Sequence, residues 1–168
     1  MTAEYAFSPL GPNHDRAGFS CEVEELNIYL RQRAGQDVRA NIAVVWVMAR
    51  PETPESILGY YTLSSLSIEL TALTSDLSKR LPSYPRLPVT LLGRMARSKT
   101  AARGSGEILL MDALSRSLQA SRQVASFAVV VDPKNQRLAD WYGRYDFRQL
   151  PNSSRLILPM KMAAKLGF

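Results

Sequence analysis

Cysteine and histidine are almost missing from this chain: Cys21 and His14 are its only representatives. A lone cysteine has no intrachain partner, which excludes a disulfide framework, and one histidine with one cysteine does not make a structural zinc site. No metal centre is expected. His14, in a polar stretch beside Gly11 and Pro12, reads as a surface histidine, and Cys21 as a buried, inert thiol. Long hydrophobic runs are missing too. The longest, around 42–48 and 125–131, have the length of strands and fall well short of the roughly 18 apolar residues of a membrane span. The first residues lack a basic-then-apolar leader pattern, so a cytoplasmic location without a membrane partner is expected. Finally, no acid falls between Asp76 and Glu107, where Lys79, Arg80, Arg86, Arg94, Arg97, Lys99 and Arg103 do. The net charge of +6 is concentrated there, which marks either a polyanion-binding surface or a plain solvated face.

What is present describes one mixed α/β domain over residues 1–168, with a single sheet flanked by helices. A helix is predicted over Glu22–Arg33, with Val23, Leu26 and Leu30 on one apolar face. Residues 8–17 read as a loop. Strands are predicted over Ile42–Ala49, Ile57–Ile68, Val89–Ala96 and Ser126–Val131, with Gly59 as a bulge or a point of close approach. The segment 81–88 holds three prolines and reads as an extended connector. Helices are predicted from Gly106 to about Gln119 and over Gln136–Tyr145. Phe147–Leu150 and Ser154–Leu158 close the chain as a hairpin.

The informative stretch is the basic, glycine-containing turn at 99–106 between the strand at 89–96 and the next helix. A first helical turn exposes unpaired N–H groups at the positive end of the helix dipole. Gly104, Ser105 and Gly106 are small enough to let a phosphate approach them, and Arg97, Lys99 and Arg103 add charge. No Gly-Lys-Ser/Thr follows, so this is not a P-loop. No acid ends a strand about 20 residues on, so a dinucleotide fingerprint is not supported either.

Ala101-Ala102-Arg103-Gly104-Ser105-Gly106 resembles the Gln/Arg-x-x-Gly-x-Gly/Ala loop of the GNAT (GCN5-related N-acetyltransferase) family, with Ala101 in place of Gln or Arg. Val129-Val130-Val131-Asp132 and Trp141-Tyr142-Gly143-Arg144-Tyr145-Asp146-Phe147 resemble that family's later strand and helix end. Asp146 replaces a usual glycine and is expected in a left-handed turn. Phe19-Ser20-Cys21, 25–30, Gly59-Tyr60-Tyr61-Thr62-Leu63, Leu81-Pro82-Ser83-Tyr84-Pro85, Leu91-Leu92-Gly93-Arg94-Met95-Ala96 and 156–160 are similar to acetyltransferase toxins of bacterial toxin–antitoxin pairs. The resemblance implies a GNAT fold with a mostly antiparallel central sheet. It also implies acetyl-CoA as cosubstrate, the α-amine of an aminoacyl-tRNA as acceptor, a ribbon-helix-helix antitoxin and a homodimer.

The resemblance makes Tyr142 the general acid, where the residues alone favour core packing; Trp141 reads as packing. Met95, Ala96 and Arg97 are expected to offer backbone groups to the pantetheine arm, and Arg103, Gly104, Ser105 and Gly106 to hold the diphosphate. Asn135 is a coenzyme contact or a helix N-cap. Arg80, Arg86, Arg94 and Lys99 are the expected RNA contacts, while Glu24 and Glu25 point apart on an exposed helix face. Two other functions fit the residues: acetylation of a small amine or protein N-terminus, and coenzyme-dependent interaction without turnover.

Overall fold

The computed structural model describes residues 4–167. Among them, strands β1 (Ala6–Pro9), β2 (Val44–Ala49), β3 (Gly59–Glu69), β4 (Arg86–Arg97), β5 (Ala128–Val131), β6 (Arg148–Gln149) and β7 (Leu156–Pro159) form one sheet, in the order β1-β2-β3-β4-β5-β7-β6. Helices α1 (Glu24–Gln32), α2 (Ala34–Arg39), α3 (Ser75–Ser78), α4 (Ser105–Ala120), α5 (Gln136–Gly143) and α6 (Met160–Ala163) fill the connections. The pairs β1/β2, β2/β3, β5/β7 and β6/β7 are antiparallel and β4/β5 is parallel, the mostly antiparallel α/β arrangement that was expected. Two compact units are present: residues up to Ser64 with Gly93–Ala113, and Ser65–Leu92 with the chain from Leu114 on. The chain passes between them within β3, β4 and α4.

The first unit packs Phe19, Leu30, Val45, Val47, Tyr60 and Ala96 into its core. α1 starts two residues later than its apolar spacing predicts. The Asn27 Oδ1 accepts from the Cys21 amide (2.8 Å) and its Nδ2 donates to the Cys21 carbonyl (3.3 Å), which ties the helix back to Cys21, with Val23 extended and exposed ahead of it. Tyr29, rather than Val23, completes the buried face. The loop predicted over 8–17 gives up Ser8 and Pro9 to β1, which pairs Phe7 with Met48 and Pro9 with Trp46; proline is tolerated on this edge strand. Gly59 is a point of close approach. A Cβ there would lie 2.8 Å from the Leu109 Cδ1 and 3.1 Å from the Ala96 carbonyl oxygen.

The second unit has its own core, with Ile68, Leu87, Val89, Ala128, Val130 and Ile157. Every residue of β5 is buried, as befits a strand with neighbours on both sides. β4 begins at Arg86, inside the segment read as a connector. Pro88 costs the ladder nothing there, because its side chain is exposed and its carbonyl accepts from the Phe127 amide (2.8 Å). β6 and β7 form the expected hairpin, pairing Arg148 with Ile157. Beside it, Arg155 meets Asp132 through two bonds of 2.7 and 2.9 Å.

Candidate active site

β4 changes face along its length. Leu87 and Val89 are buried at odd positions, Leu92 and Ala96 at even ones. A strand alternates with period 2, so the face that carries the buried residues changes between Val89 and Leu92. The irregularity has a visible anchor in the first unit: the Arg94 amide donates to the Thr62 Oγ1 (3.0 Å), a side chain. Beyond it, Met95 is half-buried, Ala96 buried and Arg97 exposed. The Arg94 guanidinium lies 3.8 Å over the Tyr29 ring, whose hydroxyl donates to the Asp37 Oδ2 (2.8 Å). Burial, then that carboxylate, push the Tyr29 pKa up to about 12. Tyr60 donates to the Leu26 carbonyl (2.6 Å) and Tyr61 to the Asp112 Oδ2 (2.5 Å), so both phenols next to Gly59 are committed to the scaffold. Thr62, Tyr29 and Asp37 escaped sequence reasoning. Their partners lie on other elements, and the signals were Tyr29's place in the 25–30 segment and Thr62's in the Gly-Tyr-Tyr-Thr-Leu motif.

After β4 the chain turns tightly. The Ser98 Oγ accepts from the Thr100 amide (3.2 Å) and the Ala101 amide donates to the Ser98 carbonyl (3.0 Å), while the Lys99 amide is tied to the Ser20 carbonyl (2.9 Å). Gly104 follows with φ +88°, and no atom lies within 4 Å of where a Cβ would stand. Glycine is required there by conformation, not by crowding. The Ser105 amide donates to the Ala102 carbonyl (3.2 Å). Among the described residues, the amides of Gly104, Gly106 and Glu107 donate to no backbone carbonyl. The Ser105 side chain is fully buried and its Oγ has no hydrogen-bond partner. A helix of sixteen residues starts at this point. Free amides and the positive end of α4 therefore meet beside the exposed Arg103, and these groups fit a diphosphate.

Tyr142 belongs to the second unit. It is 5% exposed, with its ring edge-on to Trp141 and Phe147 at 5.1 and 5.3 Å. Burial is the sole cause that pushes its pKa well above the ordinary phenol value; no charge or hydrogen bond contributes. Trp141 is half-buried and also meets Tyr145 edge-on. Asn135 caps α5, its Oδ1 accepting from the Leu138 amide (2.8 Å), which leaves only its Nδ2 for a ligand. Asp146 takes the left-handed conformation expected of it (φ 70°). The four expected RNA contacts are exposed and divide between the units: Arg94 and Lys99 in the first, Arg80 and Arg86 in the second. Glu24 and Glu25 are exposed, and Glu24 bonds Asn27 and Arg31.

A parity-switched strand leading through a left-handed glycine to a helix with free amides is the framework of an acetyl-CoA-dependent N-acetyltransferase of the GNAT fold. No protein-family profile matches the chain. A probable toxin TacT of Sinorhizobium fredii is 28% identical over 170 residues, covering 94% of this chain and 92% of that protein. A tRNA-acetylating toxin of Mycobacterium tuberculosis is 30% identical over 154 residues, covering 90% of each. Among solved structures, AtaT complexed with acetyl-methionyl-tRNAfMet superposes with a TM-score of 0.88 at 27% identity, over 98% of this chain and all of that one. AtaTR bound with acetyl-CoA gives 0.83 at 28% identity, over 98% of both. The chain belongs to the GNAT acetyltransferase toxins of toxin–antitoxin systems. Among the described residues no group of side chains that could hold a metal ion occurs, and no described helix is long and apolar enough to cross a membrane.

Proposed function

We propose that this protein transfers the acetyl group of acetyl-CoA to the α-amine of an aminoacyl-tRNA and so blocks translation. One observation of the site supports the proposal: the amides of Gly104, Gly106 and Glu107 at the start of α4 donate to no backbone carbonyl, an arrangement that suits a diphosphate. The acceptor is argued from the relatives that acetylate tRNA and from the acid-free basic run at 77–106.

In this reading Gly104, Ser105, Gly106 and Arg103 hold the diphosphate, and Met95, Ala96 and Arg97 receive the pantetheine arm on the open part of β4. Arg97 or Arg103 supplies the side-chain contact that Gln or Arg makes from the position of Ala101. The α-amine attacks the thioester carbonyl, the C–S bond breaks, and Tyr142 gives its proton to the departing thiolate; the new amide sheds the amine's proton to water, and the phenolate regains one from water. An α-amine titrates near 8, so it is often neutral without a dedicated base. Burial keeps Tyr142 protonated until the thiolate appears. Arg80, Arg86, Arg94 and Lys99 contact the RNA. The protein acts as one domain in the cytoplasm, as a homodimer held in check by a ribbon-helix-helix antitoxin.

Charged tRNA incubated with labelled acetyl-CoA tests the acceptor. Label is expected on the aminoacyl group with wild type and is lost with Tyr142→Phe. Label that appears on small amines or peptides but never on charged tRNA refutes the proposal.

A further inference from the structure

Between α3 and β4 the second unit carries a turn whose backbone is set before any ligand arrives. Pro82 and Pro85 fix φ on either side of Ser83 and Tyr84. The Tyr84 amide donates to the Pro82 carbonyl (2.8 Å), and the Pro85 carbonyl accepts from the Leu70 amide (3.1 Å). On this braced turn Tyr84 is 66% exposed, and it is the only largely exposed aromatic ring among the described residues. Its ring borders a groove of about 380 Å³, which Glu69, Leu70, Thr71, Ser83 and Arg86 also line.

One acid and one base line the groove. Arg86 reaches the Ser67 Oγ at 3.4 Å and the Glu69 carboxylate at 3.7 Å, with both members of the pair 62% exposed. So exposed a pair holds its partners weakly, and Arg86 is free to exchange Glu69 for a phosphate. Lys79 and Arg80 stand exposed just upstream, and no acid follows until Glu107. A rigid aromatic face beside a replaceable arginine is what an unpaired nucleotide uses: its base stacks and its phosphate takes the cation. An exposed side chain on a fixed turn also has less freedom left to lose on binding.

We infer that this groove seats an unpaired nucleobase of the transfer RNA, stacked on Tyr84, with Arg86 on the adjoining phosphate. The inference rests on the proposed acceptor and adds a specific contact to it. Equilibrium binding of deacylated tRNA to the full chain, measured across a salt series, tests it. Tyr84→Ala is expected to weaken binding by about 5- to 150-fold while leaving the salt slope unchanged, because stacking releases no counterions. Tyr84→Trp stays within about twofold of wild type. Arg86→Ala weakens binding and lowers the slope by about one unit, whereas Glu69→Gln tightens it. KM for acetyl-CoA stays constant throughout. Wild type that binds no tRNA ends this inference and the proposed function together. Tyr84→Ala that binds like wild type ends only the inference. So does a Tyr84→Ala variant that loses tRNA and acetyl-CoA together, which makes the ring structural. Loss of a copurifying protein partner with tRNA binding intact gives the groove to a protein and likewise overturns it.

Discussion

Replacing Gly59 by alanine adds one methyl group where the first unit has no room for it. The added carbon meets three neighbours: the Leu109 Cδ1 at 2.8 Å, the Met48 Cε at 3.1 Å and the Ala96 carbonyl oxygen at 3.1 Å. The first two are ends of flexible side chains and turn aside. The third is backbone of β4, so the strand itself has to move. Overpacking of this kind costs about 1–3 kcal/mol. For a chain of 168 residues, where each kcal/mol shifts the midpoint by about 2–4 °C, thermal unfolding should fall by about 2–12 °C. Ala96 is among the residues proposed to receive the pantetheine arm, so KM for acetyl-CoA should rise in the same variant. Gly143→Ala provides the control. The same chemical change at the end of α5 meets nothing within 4 Å, and relief of chain entropy should raise stability by about 0.5–1 kcal/mol. Calorimetry that finds Gly59→Ala melting at or above wild type refutes the packing argument.

Tyr142→Phe should lower kcat by about 10²–10⁴-fold with the melting temperature unchanged or raised, since the lost hydroxyl bonds no described group; steady-state rates and calorimetry read the two effects separately. Asn135→Ala should cost about 0.5–2 kcal/mol by uncapping α5, and Asn135→Ser should recover it in chemical denaturation. The pKa values of Tyr29, Tyr60 and Tyr142 are all raised by burial, Tyr29 to about 12. Their unfolded value is 10, so their contribution is complete below pH 10 and is lost as the pH climbs from there toward 12 and beyond. Near-ultraviolet titration should therefore show these phenols ionising only as the fold is lost, and early ionisation of all seven tyrosines would contradict it.

Local chemistry was the legible part of the sequence. Apolar runs located the inner strands, Gly104 and Gly106 located the start of α4, and Asp146 announced a left-handed residue because aspartate is among the few that tolerate one. The misreadings arose where a distant partner decides. Pro88 joins β4 because Phe127, thirty-nine positions away, needs only its carbonyl. α1 starts late because Asn27 reaches back to Cys21, and β1 exists because β2 offers it an edge. In the site, Asn135 had two readings at the sequence level, and its cap became visible only with the Leu138 amide beside it. The stacking of Arg94 on Tyr29, and the bond from its amide to Thr62, join residues from separate elements, and no spacing encodes them.

A phenol packed edge-on against Trp141 and Phe147, its pKa raised by burial, would in the proposed role meet each coenzyme with its proton in place. In the role proposed for Tyr142, acidity inside the cell has no grip on the catalyst: neither a mild alkaline drift nor an acid one empties or refills the donor. Such an enzyme has no internal idle setting. In that role, restraint has to come from outside the donor itself.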